Sequence, residues 1–108
     1  MENVADEGKT AAIVAYLTII GTIIAWFMNN DRKNTFASFH IRQALGIHIT
    51  FYLLGVLVSA FDNWMVSAAF YIFIIVLWGY GIIAAIQGEE NEVPVLGRYY
   101  QKIFSTIS

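Results

Sequence analysis

Three apolar runs, at residues 10–28, 44–61 and 65–87, constrain this chain more than any other feature of its sequence. At 1.5 Å per residue the first reaches about 28 Å, close to the bilayer's hydrocarbon thickness of about 30 Å. A soluble domain of this length has too much surface per unit volume to hide so much apolar material. The hydrophobic fraction is 58% and charged residues make up only 13% of the 108 residues, so part of the chain must face lipid. The expected fold is an all-α membrane protein of three transmembrane helices forming one integral membrane domain over residues 1–108.

The connections fit that expectation. Residues 1–9 form an acidic tail (Glu2, Asp6, Glu7) that is expected to fray. Positive charge follows the first run, at Arg32 and Lys33, whereas a secretory signal carries it in front, so the run is expected to be retained as a span. Asn34 or Thr35 can cap a new helix. Phe36, Phe39 and His40 then fall at i, i+3 and i+4, which suggests a short helix lying in the interface before the second run. The 62–64 stretch is short enough to force a tight turn, Asn63 can cap the third run, and Gly88 can close it. Beyond Pro94, Leu96, Tyr99, Tyr100, Ile103 and Ile107 recur at helical spacing opposite Arg98, Gln101, Lys102 and Ser105. That pattern predicts an amphipathic surface helix over 96–107.

With three spans, Arg32, Lys33, Arg42, Arg98 and Lys102 share one side and only Lys9 lies on the other. The positive-inside rule then places the N-terminus outside and the C-terminus in the cytoplasm. The chain's small size and lack of a targeting extension favour a bacterial inner membrane. The net charge of −2 and the absence of a basic stripe exclude a nucleic-acid partner. With no cysteine there is no thiolate chemistry. No cofactor or metal site is expected.

Four groups of residues merit attention. His40, Arg42 and Gln43 stand where the second run begins, and Glu89, Glu90 and Glu92 are expected on the same surface. They read either as a polar docking patch or as an interfacial lock in which Arg42 pairs with a glutamate and fixes the depth of the span. His48 lies one turn inside the second run. An ionisable group there is either functional or a neutral side chain bonded to Thr18 or Thr22 of a neighbouring helix. Gly21 with Ala25, Gly55 with Ser59, and Gly81 with Ala85 are small-residue pairs that permit close helix approach, within one chain or between copies. The third run's aromatic residues (Phe70, Tyr71, Phe73, Trp78, Tyr80) lack the polar convergence of a cofactor site and read as packing and lipid contacts. No catalytic triad, carboxylate pair or phosphate loop can be assembled, so the reading is non-enzymatic.

The Phe39-His40-x-Arg42-Gln43-Ala44-Leu45 stretch and the later Gly88-Glu89-Glu90, Val93-Pro94 and Gly97 positions carry a resemblance. They resemble the signatures of small bacterial membrane proteins of unknown function that are similar to the twenty-kilodalton channel component of the translocon at the inner chloroplast envelope. The resemblance implies a non-enzymatic membrane component, self-associating or part of a larger complex, with a role in protein translocation. A small transporter or ion-conducting subunit lined by His48 is the competing expectation. An accessory or lipid-sensing subunit resting on the C-terminal surface helix is a third.

Overall fold

The structure is a computed structural model that describes residues 4–107. These residues form five helices and no strand: α1 (Val4–Leu17), α2 (Ile19–Asn30), α3 (Thr35–Ser59), α4 (Trp64–Gln87) and α5 (Gly97–Ile103).

The first apolar run is not one span. Thr18 leaves the helical region (φ −154°, ψ 173°), and its hydroxyl oxygen accepts the Gly21 N–H at 3.0 Å, which makes it the N-cap of α2. The chain then doubles back. The Thr22 hydroxyl donates to the Ala15 carbonyl at 2.7 Å, and a Cβ on Gly21 would lie 2.3 Å from the Val14 carbonyl oxygen. At the open end of this hairpin the Asn34 side-chain amide donates to the Val4 carbonyl at 2.9 Å. With 14 and 12 residues, the arms reach about 21 and 18 Å, too short to cross a bilayer core of about 30 Å. Hydropathy alone cannot separate a hairpin from a span, because both are equally apolar.

This hairpin corrects two further expectations. The start of α1 lies at the same end as the 31–34 connection and the end of α4, since a Cβ on Gly88 would sit 3.6 Å from the Ala5 methyl. The first run therefore does not carry the N-terminal segment to the opposite end. Residues 4–9 are helical rather than frayed, while Glu2 falls outside the described residues.

Two helices, α3 and α4, are long and apolar enough to cross a membrane, at 25 and 24 residues. The expected interfacial helix before the second run is instead continuous with it. Asn34 caps α3 by accepting the Ala37 N–H at 2.9 Å, and nothing interrupts the helix before Ser59. Asn63 caps α4 through the Met65 N–H at 2.8 Å. Gly88 (φ 76°) closes it, with the Glu89 N–H returning to the Ala84 carbonyl at 2.9 Å. The C-terminal surface helix is shorter than expected, because Phe104 leaves helical geometry.

The hairpin packs beside the first half of α3 and the second half of α4. Tyr16, Phe36, Ile41 and Leu77 fill this core among the small residues Ala12, Ala15, Ala25, Ala37, Ala44 and Ala85. Past the hairpin tip, α3 has no buried residue beyond Ile47. There α3 and α4 continue as a bare pair, joined by Phe51 stacked on Phe70 with ring centroids 5.9 Å apart.

Candidate functional site

The densest chemistry lies where α1, α3 and the loop after α4 meet. His40 and Gln43 sit one turn apart on α3, both fully buried. The His40 Nε2 lies 2.7 Å from the Glu89 backbone carbonyl and its Nδ1 lies 2.6 Å from the Tyr16 hydroxyl. A carbonyl can only accept, so Nε2 carries the hydrogen, and Nδ1 of the neutral ring accepts from Tyr16. The Tyr16 oxygen in turn accepts from the Gln43 amide at 2.9 Å. That amide also donates to the Asn91 carbonyl at 3.2 Å, and the Gln43 carbonyl oxygen accepts the Val93 N–H at 2.8 Å. Phe36 and Phe39 meet the imidazole edge-on, with centroids at 4.7 and 5.0 Å, and keep water out. The low local dielectric strengthens each of these bonds. Together they latch the 88–93 loop onto α3, and every buried side-chain polar atom among the described residues has a partner.

The neighbouring positions have other roles. Arg42 is half-buried, and its Nε donates to the Ile107 carbonyl at 2.7 Å, so it holds the C-terminal segment in addition to any interfacial role. Glu89 contributes its backbone carbonyl, not its carboxylate, to His40; the carboxylate accepts from the Asn91 side chain at 3.2 Å. Glu90 is exposed. His48 does not bond to Thr18 or Thr22. Its Nε2 lies 3.2 Å from the Ala15 carbonyl, the same acceptor that Thr22 uses.

That shared acceptor has a physical reason. The last carbonyls of a helix have no partner along their own backbone, and in an apolar medium each unpaired group costs several kcal/mol. Here α1 ends among apolar helices. Thr22 from α2 and His48 from α3 cover Ala15, and the Trp78 indole from α4 donates to the Tyr16 carbonyl at 2.6 Å.

The small-residue pairs divide between inside and outside. Gly21 brings α2 onto α1, and Gly81 brings α4 onto the Tyr16 ring, where a Cβ would lie 2.6 Å from a ring carbon. Ala25 and Ala85 are buried beside them. Gly55 and Ser59 lie on the bare α3–α4 pair, lining a cleft of about 360 Å³ with Phe51, Ser67 and Phe70.

The sequence reading missed Tyr16, Asn29 and Gly46, and read Trp78 as a packing or lipid contact without its bond to the Tyr16 carbonyl. A tyrosine inside an apolar run was the available signal, because its hydroxyl needs a partner when buried. Asn29 closes the 31–34 connection by donating to the Ser38 hydroxyl at 2.9 Å and accepting the Asn34 N–H at 2.9 Å. Gly46 gives room to the Tyr100 ring, whose hydroxyl bonds to Thr50. Burial pushes the Tyr100 hydroxyl above its ordinary value of 10, partly offset by that bond, so it stays protonated at neutral pH. Among the described residues no group of three or more His, Cys, Asp or Glu side chains is placed to hold a metal ion.

Two membrane-length helices, a half-length hairpin with a capped break, and a buried latch define a small helical membrane protein. Sequence comparison supplies the family: the chain belongs to the magnetosome magnetite crystal formation protein family, whose model matches residues 7–100. It is also similar to a UPF0132 membrane protein of Methanocaldococcus jannaschii, 34% identical over 82 residues. That match covers 70% of this chain and 59% of the relative, so the chain spans about three-fifths of the relative's length. No solved structure matches the chain. These matches overturn the expected kinship with the chloroplast translocon component. The two motifs behind that expectation lie within 7–100, and in the structure they form one latch, a device for holding a loop on a helix.

Proposed function

We propose that the protein is a non-enzymatic membrane component that works by assembling with copies of itself in the bilayer. The hairpin tip carries this reading. Residues 17–20 turn at the level of His48 and Trp78, about midway along α3 and α4, and Leu17, Thr18 and Ile20 are exposed there. Non-helical backbone at membrane depth is tolerated only where protein covers it or water fills the space. A second copy supplies that cover. Its bare α3–α4 pair is apolar, and Gly55 and Ser59 allow close approach. The family's description, magnetite crystal formation, suits an assembly that presents the same charged end of every copy at one membrane surface.

Orientation belongs to the same proposal. All six Lys and Arg residues lie at the latch end, and the 60–63 turn has none. The positive-inside rule then puts the latch end, with both the start of α1 and the α5 segment, in the cytoplasm of a bacterial cell.

The test uses the absence of native cysteine. Copies carrying Leu53→Cys on the bare pair and copies carrying Ile20→Cys at the hairpin tip, both exposed positions, should cross-link when mixed in lipid discs, and adding Gly55→Leu to the first should abolish the cross-link. A monomeric mass at every protein-to-lipid ratio would sink the proposal.

A further inference from the structure

The roll of α5 about its own axis is fixed by two bonds to different levels of α3. Gln101 donates to the Phe39 carbonyl at 2.8 Å, toward the latch end, while Tyr100 reaches Thr50, deeper along the helix. One flank of α5 therefore faces water at the latch end, and the opposite flank faces the membrane interior. Tyr99 and Ile103 lie on that inner flank, four residues apart and 54% and 69% exposed, and Val95, 76% exposed in the turn before the helix, borders the same hollow as Tyr99. Val95 holds a left-handed backbone (φ 67°), which is rare for a β-branched residue. The Leu96 N–H to Pro94 carbonyl bond (2.7 Å) and the Gly97 N–H to Val93 carbonyl bond (3.1 Å) keep it there, with its side chain outward. Arg98 and Lys102, also four apart, are exposed on the side turned away from α3.

We infer that α5 is a shelf for anionic phospholipid headgroups, with Tyr99, Ile103 and the adjoining Val95 seated among acyl chains and Arg98 and Lys102 meeting the headgroup phosphates. The inference rests on membrane residence, not on self-assembly. An apolar stripe bordered by cations matches the chemistry of an interfacial helix on an anionic leaflet. Glu92 lines the adjoining hollow of about 420 Å³ with Val93, Val95, Arg98 and Tyr99, and its acidic side chain disfavours a phosphate inside it. Headgroup contact is therefore expected at the outer edge of the shelf, at the two cations.

The test is lipid retention by the full chain. Protein in neutral detergent is mixed with equal amounts of phosphatidylglycerol and phosphatidylcholine, separated by gel filtration, and its bound lipid counted by native mass spectrometry. The wild type should retain phosphatidylglycerol preferentially. Arg98→Gln with Lys102→Gln should reduce that preference by about fivefold per cation removed. Arg32→Gln with Lys33→Gln, on the 31–34 connection, should change it less. Both pairs are exposed, so helicity should be unchanged. No preference in the wild type, an equal preference in the Arg98/Lys102 variant, or complete displacement of lipid by millimolar inorganic phosphate would each overturn the inference.

Discussion

The two halves of the α3–α4 pair are held together by different means. At the latch end the helices are wrapped by the hairpin, the 88–93 loop and α5, and buried polar side chains join elements far apart in sequence. At the turn end the same helices meet only each other, through one stacked aromatic pair and a shallow cleft. In lipid, apolar contact between helices gains little over contact with acyl chains. A directional bond, by contrast, fixes one arrangement. Specificity is thus concentrated where the polar bonds are, and the bare half is left to meet other surfaces.

Substitutions of glycine should separate the halves most sharply. Gly21→Val places methyl groups against the Val14 carbonyl oxygen and should cost about 3 kcal/mol or more. Gly55→Leu, on the bare half, should leave monomer stability within about 0.5 kcal/mol. Unfolding by denaturant in detergent measures both, and equal losses would erase the distinction. The histidines come next. His40→Ala leaves the buried Tyr16 O–H without its acceptor and the Glu89 carbonyl without its donor, for a loss of about 2–4 kcal/mol. His48→Ala should cost about 1 kcal/mol, because Thr22 still covers the Ala15 carbonyl. Faster proteolysis of the 88–96 loop in the His40 variant alone would confirm that the latch holds that loop. A smaller loss than either histidine's is expected from Tyr100→Phe, which keeps the ring over Gly46 and loses the Thr50 bond, at about 0.5–1 kcal/mol. Hydrogen exchange in α5 should rise while exchange in α1 stays unchanged.

The sequence made legible what depends on neighbours along the chain. The caps at Asn34 and Asn63 and the left-handed Gly88 follow from local backbone chemistry, and the structure places them as the sequence predicts. The apolar excess likewise pointed to a helical membrane protein. The break at Thr18 was readable only as a threonine three residues before a glycine, a weak sign inside a strongly apolar run. What decides it is tertiary: Thr22, His48 and Trp78 arrive from three other helices to satisfy the carbonyls that the break exposes. Around His40 the structure shows bonds of a different kind from those expected. Charge pairing with glutamates was expected, yet the partners found are backbone groups and a tyrosine 24 residues away. Backbone partners leave no mark in residue identity.

The turn at Thr18 also bears on how such a chain is made. In the proposed orientation residues 4–34 dip into the bilayer and return to the side on which they were synthesised. The 60–63 turn is then the part carried to the far side, and Asp62 is its one charged side chain. One charged side chain costs less to carry across the membrane than a cluster of them would. Assembly in the membrane therefore reduces to inserting one helical hairpin, with every cation remaining where it began.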